Sequence, residues 1–320
     1  MGENNLAEEA GIVDDMVYGL AVSPGFAQDG TCFAARGTGL FRSEDGGRSW
    51  HNAYAALNLT SPLLTTTVAL SPDYLQDGTL FAGSVGGVLR STDAGWSWQV
   101  FSLPTPPPLV SALGVSPHFA QDGLVLAGTL EDGVLRSTNR GSHWVAWNFS
   151  LIDFHVLCLA FSPNYGDDET ILIGTESGLF RSTNGGRSWS QLNFPTEFAP
   201  VLSLAFSPAY KTDGMLFAGT EAQGLAISRN GGETWERLGE DLPEEAINQI
   251  ILSPLYPQKP MILLALTTGL VLSDDDGKTW TAWKSNPAFE AGITCLLAPQ
   301  GLSEGASLLV GLADGQVLRV

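Results

Sequence analysis

An all-β chain built from seven repeated four-stranded units is the fold class this sequence predicts, on three observations. A proline closes an apolar run at Pro24, Pro72, Pro117, Pro163, Pro208, Pro254 and Pro299, with spacings of 48, 45, 46, 45, 46 and 45 residues. A tryptophan series, Trp50, Trp98, Trp144, Trp189, Trp235 and Trp280, keeps the same step, with spacings of 48, 46, 45, 46 and 45. Between these marks lie short apolar runs punctuated by Gly, Asp and Pro, the pattern of strands and tight turns. The unit is thus about 46 residues, and 320 residues hold seven of them.

The fifth unit shows the elements in order. Val201–Pro208 reads as strand a, Thr212-Asp213-Gly214 as a turn, Met215–Thr220 as strand b, a second turn ends at Gly224, Leu225–Ile227 is strand c, and Ser228–Trp235 leads into strand d. Strand a alternates in side-chain size. Leu204 and Phe206 oppose Ser203 and Ala205, and Leu159 and Phe161 oppose Cys158 and Ala160. A strand that is large on one face and small on the other, and apolar on both, suits a sheet packed between two like sheets. Sheets arranged radially meet that condition, so the chain is expected to form one domain over residues 1–320, a seven-bladed β-propeller of antiparallel four-stranded blades. Strand a is expected near Val17–Val22, Thr66–Leu70, Ser111–Val115, Val156–Phe161, Val201–Phe206, Ile247–Leu252 and Ile293–Leu297. The seventh unit stops in strand c at Val317-Leu318-Arg319-Val320. The N-terminal segment, somewhere within Gly2 to Ile12, is therefore expected to close the ring by pairing beside Gln316 to Arg319.

The segment between strands c and d is the most specific feature. It reads Ser43-Glu44-Asp45-Gly46-Gly47-Arg48-Ser49-Trp50 in the first unit and recurs at Ser91–Trp98, Ser137–Trp144, Ser182–Trp189, Ser228–Trp235 and Ser273–Trp280. It resembles the Asp-box, or bacterial neuraminidase repeat, Ser-x-Asp-x-Gly-x-x-Trp, in six copies over nearly the whole chain. Proteins with such repeats include sialidases, xyloglucan-active glycoside hydrolases, the sortilin and Vps10 receptors, and photosystem II assembly factors of the Ycf48 type. Asn139, Asn184 and Asn230 replace the acid. Asn keeps a side-chain acceptor and tolerates a left-handed backbone, so the replacement fits a structural turn and removes the repeated carboxylate from any catalytic role. Arg42, Arg90, Arg136, Arg181 and Arg319 recur at one place in the repeat, just after strand c's apolar residues, and are expected to be box partners or solvated edge residues and not a site. Sialidase chemistry needs clustered arginines for a sugar carboxylate, and the sialidase Phe/Tyr-Arg-Ile-Pro motif is absent.

Charge narrows the function. Fifteen Lys and Arg against 34 Asp and Glu give a formal charge of −19, which disfavours nucleic acid, anionic membranes and acidic substrates as partners. No run of eighteen apolar residues occurs, so no membrane insertion is expected. The opening Met1-Gly2-Glu3-Asn4-Asn5 shows no basic-then-apolar leader. A cytoplasmic location is expected on that basis, or an extracytoplasmic one if a signal peptide has been removed. No cofactor or metal is expected. Cys32, Cys158 and Cys295 are widely spread, and His51, His118, His143 and His155 occupy unrelated places in the repeat.

In a propeller the b–c turns and d–a connections share one face. Sorting charges by face places seventeen acids and two bases there. A protein or peptide partner, cationic in character, is expected to bind Glu131, Asp132, Glu176, Glu221 and Asp314, with Trp147, Trp283 and Tyr54 as stacking or anchoring rings. A neutral glycan is the alternative ligand. If the chain were a glycoside hydrolase, Asp153, Glu176 and Glu221 are the candidate acid–base residues, two of them flanking the scissile bond. No nucleophile elbow, phosphate-binding loop or His-Glu-x-x-His motif is present.

Overall fold

The computed structural model describes residues 15–195, 199–239, 241–283 and 289–320. Seven antiparallel sheets follow one another along the chain, six of them ordered a-b-c-d from the axis outward and the seventh a-b-c among the described residues. Strands a span Val17–Val22, Thr67–Leu70, Val110–Val115, Val156–Phe161, Val201–Phe206, Ile247–Leu252 and Ile293–Leu297, within one residue of the expected bounds. Blade four is representative, with b at Ile171–Thr175, c at Gly178–Ser182 and d at Ser190–Gln191. The seventh blade has three strands among the described residues, Ile293–Leu297, Leu309–Leu312 and Val317–Arg319. The expected pairing of Gly2 to Ile12 beside Gln316 to Arg319 lies outside the described residues. What joins the ends in the described part is face packing of strand a of blade one on strands a and b of blade seven.

Size alternation in strand a does what the sequence requires. Leu159 and Phe161 of blade four lie over Gly114 of blade three, where an added Cβ would stand 2.3 Å from Leu159 Cδ1 and 2.8 Å from Phe161 Cε2. Deeper in, a glycine of strand b admits the first residue of the next blade's strand a. Gly174 meets Val201, Gly219 meets Ile247 and Gly311 meets Val17, each leaving under 3 Å for a Cβ.

That first residue is buried in six of the blades, as Val17, Val110, Val156, Val201, Ile247 and Ile293. A register shift follows it in each of these blades, and its carbonyl turns toward the preceding blade. There it accepts a side-chain hydrogen bond. Thr66 donates to Val110, Ser111 to Val156, Cys158 Sγ to Val201 (3.5 Å), Ser203 to Ile247 (2.7 Å), Asn248 to Ile293 (2.7 Å) and Thr294 to Val17 (2.5 Å). The last of these crosses the junction between the first and last blades. The axis itself is a channel of about 370 Å³ lined by all seven strands a.

The recurrent c–d turns cement the outer parts. In blade one Ser43 Oγ accepts from Gly47 N (2.9 Å) and donates to Asp45, whose carboxylate receives Arg48 N, Ser49 N and Ser49 Oγ. Asn184 and Asn230 keep the acceptor through Oδ1 and donate with Nδ2 to Ser188 and Thr234 (both 2.8 Å). The tryptophans sit between blades, not simply over an outer edge. The Nε1 of Trp98 donates to Ala53 O and that of Trp189 to Trp147 O, both on the preceding blade's connection (both 2.9 Å). The arginines are staples of the same kind. Arg90 donates to Arg140 O, Arg136 to Gly185 O and Arg181 to Gly231 O, always in the next blade's turn.

Two substitutions test this architecture. Trp189→Ala is expected to cost about 3–5 kcal/mol in chemical denaturation, because the indole is fully enclosed. Thr294→Val keeps shape but strips the Val17 carbonyl of its donor, and is expected to cost about 1–3 kcal/mol. Thr281→Val on exposed strand d should stay within about 0.5 kcal/mol. Equal stability of the Thr294 and Thr281 variants would contradict a closing role for the junction bond.

Candidate functional site

Repetition occupies most of the interior, so the candidate site is the face where the repeat varies: the b–c turns and d–a connections. Eleven of its seventeen acids are described, and the five proposed partner contacts do not form one ring. Glu131 and Asp132, Glu176 and Glu221 occupy the b–c turns of blades three, four and five, an unbroken arc. Asp314 stands apart in blade seven. There it receives Gln316 N and Nε2 (3.0 and 2.8 Å), with the Thr267-Thr268 turn of blade six between it and the arc.

The three rings separate in the same way. Tyr54 is 2% exposed, packs edge-on to Trp98 with ring centroids 5.3 Å apart and accepts a hydrogen bond from Thr65. Trp283 is 7% exposed within the core between blades six and seven. Both fill gaps between blades, enclosed where Trp147 is exposed, so neither offers the exposed ring that stacking on the acidic face was expected to use. Trp147 is partly exposed on the rim, with the Arg136 guanidinium 5.4 Å over its ring.

Asp153, offered as an acid or base, is a structural clamp. Its carboxylate takes Ser177 N (2.8 Å) and Ser177 Oγ (2.6 Å) from the b–c turn of blade four, and His155 N (3.0 Å) from its own connection. Burial works to raise its pKa. Hydrogen bonds, led by that of Ser177, outweigh burial and take it from the ordinary 3.8 to about 2. The device recurs. Asp15 receives Thr38 N and Oγ1 in blade one, and Glu245 receives Thr268 N and Oγ1 in blade six. Beside Asp153 the His155 Nδ1 lies 3.3 Å from the clamp and 3.9 Å from Glu176 Oε2, so Glu176 belongs to this local group and Glu221 does not. All three cysteines are held by burial at about 12, far from a thiolate nucleophile.

The feature that the sequence left unsorted among aromatics able to anchor a partner or plug gaps between blades lies in the connection from blade three to blade four. Phe149 is 75% exposed, Ile152 72% and Phe154 42%. Their backbone is fixed. Phe149 O accepts from Trp189 N, Phe154 O accepts from Gly133 N, and buried Leu151 anchors the middle. Asn148 further ties the connection to the b–c turn, accepting from Val134 N and donating to Asp132 O. These contacts hold Phe149 beside Trp189 and Phe154 beside the b–c turn of blade three, with Ile152 exposed on the connection between them. At the Phe154 end the connection meets Gly133, next to Glu131 and Asp132, and its His155 carbonyl accepts from Glu176 N. Phe149 and Phe154 had the signal of aromatics in a connection, but burial is what separates them from Tyr54.

Among the described residues no group of three His, Cys, Asp or Glu is placed to hold a metal ion, and no helix is long and apolar enough to cross a membrane.

No protein-family model matches the chain, and no curated protein matches it. Solved structures do. An ancestral GH74 enzyme is similar with a TM-score of 0.74 at 17% identity, over 96% of this chain and 45% of that one. The GH74 xyloglucanase from Xanthomonas campestris is similar with a TM-score of 0.71 at 18% identity, over 94% and 51%. The chain thus spans about half the length of these GH74 structures. Ycf48 bound to D1 peptide is similar with a TM-score of 0.70 at 18% identity, over 96% and 94%. Enzymes and a peptide-binding protein stand side by side among these neighbours, and at such identities what they share with this chain is the seven-bladed propeller fold.

The clamp carries a pH signature. A carboxyl whose folded pKa is depressed contributes stability above its unfolded value, and that contribution is lost as pH falls through the folded one. Asp153→Asn should therefore melt below the parent at pH 7, and the gap should close between about pH 4 and about pH 2. Melting curves whose separation is constant across that range would contradict the assignment.

Proposed function

We propose that the chain is a non-catalytic propeller that docks a protein or peptide partner on the arc of blades three to five. The observation that carries the reading is the exposed Phe149, Ile152 and Phe154 on a hydrogen-bonded backbone whose Phe154 end meets the b–c turns that carry Glu131, Asp132 and Glu176. Exposed apolar side chains on an immobilised backbone lose little entropy on binding, and the carboxylates around them select a segment that mixes apolar with basic residues. Glu221 extends the field along the arc, and Asp314 adds to it at longer range. The peptide-bound Ycf48 neighbour supports a docking role for such a fold.

The GH74 neighbours prompt the glycan reading. Cleavage of a neutral polysaccharide needs exposed stacking rings and a carboxylic acid able to donate a proton. Tyr54 and Trp283 are buried, and Asp153 is an acceptor committed to Ser177, which favours the partner-binding reading. Incubation with neutral polysaccharides is expected to release no reducing ends above control; product that disappears in Glu176→Gln would reverse the choice.

A synthetic peptide alternating Lys and Leu is the direct probe. It should bind more tightly than its Glu and Leu counterpart, and its affinity should weaken as salt rises from about 50 to about 300 mM. Charge reversal at Glu131, Asp132, Glu176 and Glu221 together should abolish the salt dependence, and reversal at Asp314 alone should reduce it slightly. Phe149→Ser should weaken binding without removing the salt dependence. Binding indifferent to salt and to these changes would defeat the reading.

A further inference from the structure

A strand with a bare outer edge is a template for another strand, and proteins blunt such edges by keeping them short or charged. Five of the described strands d obey this. His51–Asn52, Val145–Ala146, Ser190–Gln191 and Thr281–Ala282 have two residues each, and Glu236–Leu238 has three and carries Glu236 and Arg237. Blade two does not. Its strand d, Gln99–Ser102, pairs with strand c along four residues, holds no charge and leaves Val100 58% exposed. The sequence around it is uncharged as well, with no Asp, Glu, Lys or Arg between Asp93 and Asp122. Leu103 N donates to Gly86 O, so alternation along the antiparallel pair turns the peptide groups of Gln99 and Phe101 inward and those of Val100 and Ser102 outward. A groove of about 360 Å³ follows the strand, lined by residues 100–104 and by residues 142–144 of blade three.

We propose that this edge is a self-association surface, where a second copy of the chain pairs the same strand d antiparallel to the first. The register follows from the outward groups. They must face one another, which sets Val100 opposite Ser102 of the second copy and puts the two-fold axis at Phe101. Each copy then donates two backbone hydrogen bonds and accepts two. The two Phe101 residues meet at the close, non-hydrogen-bonded position, where an aromatic pair is favourable. Charge selects this occupant. A chain of charge −19 repels its own copy, and two copies approach with least repulsion where neither presents a carboxylate. The charged group that touches the strand is a cation: Arg90 donates through Nη2 to Gln99 Oε1 (2.9 Å) and lies 4.9 Å over the Phe101 ring. A contact of one short strand is small, so the dimer is weak and concentration-dependent. The inference is independent of the acidic arc.

Sedimentation equilibrium of the full chain from about 1 μM to about 1 mM reads this directly. The mean mass is expected to rise from that of one chain toward that of two and no further, since a two-fold contact closes on itself. The dimer fraction should grow as salt rises from about 50 to about 300 mM, because screening weakens the repulsion between copies. Val100→Pro removes an N–H that faces outward, so the melting temperature should hold while the dimer is lost. Val100→Glu places a carboxylate on the exposed edge and should also leave only monomer at the lower salt, with melting again unchanged. Val100→Thr keeps both the N–H and the strand and should retain the dimer. So should Phe149→Ser, which separates this surface from the connection of blades three and four. A single mass at every concentration, a dimer that survives both Val100→Pro and Val100→Glu, association lost in Phe149→Ser, or growth past two copies would each overturn the proposal.

Discussion

Each blade is held to the next by the close approach of one backbone segment, the first residue of strand a, to the glycine-bearing strand b of the blade before it. The approach frees that residue's carbonyl from its own sheet, and a short polar side chain of the preceding blade receives it. Thr66, Ser111, Cys158, Ser203, Asn248 and Thr294 differ in chemistry but share reach, since each is small enough to stay inside the axis and still has a hydrogen to give. A buried carbonyl left without a donor costs more than a typical hydrogen bond contributes, so the belt is better seen as a condition for closure than as a source of stability. Large-on-small packing along strand a then sets the spacing, and the c–d turns with their tryptophans and arginines repeat the same logic at larger radius.

Because these devices connect neighbours, they consume the groups that might otherwise do chemistry. The turn carboxylates are saturated by their own backbone, as Asp45 and Asp275 show. Arg90, Arg136 and Arg181 of strands c spend donors on carbonyls of the next blade, while Arg42 pairs with Glu44 of its own turn and Arg319 with Ser307. Acids at the mouths of strands a, Asp15, Asp153 and Glu245, lock b–c turns in place. A carboxylate placed to receive two or three hydrogen bonds is a strong structural acceptor and, for the same reason, a poor proton donor.

How much of this could be read in advance follows from what the repeat encodes. Blade number, strand a and the structural character of Asn184 and Asn230 were legible, because period and residue type specify them, whereas Arg136 and Arg181 could be read only as box partners or solvated edge residues. The belt was not, since its donors share no residue type and its acceptors are backbone atoms. The clamps were not, since Asp153 pairs with Ser177 twenty-four residues away and Glu245 with Thr268 twenty-three away, separations that no local pattern marks. Nor could the aromatics of the connections be sorted. Tyr54 and Phe149 read alike in sequence, and only the neighbouring blade decides that Trp98 covers one while backbone contacts turn the other outward.

A fold that repeats one unit around an axis directs function to the places where the unit is broken. The blade three to four connection breaks it by keeping a rigid backbone while placing Phe149 and Ile152 where other blades turn an aromatic inward. The junction of blades six and seven departs from it in having a cavity lined by Met261, Leu272 and Trp283. Neither feature strengthens the ring: exposed apolar side chains gain nothing from burial, and a cavity forfeits dispersion contacts along its lining. An exposed apolar stripe that costs stability in a scaffold otherwise built of mutually supporting contacts is what the proposed docking role accounts for.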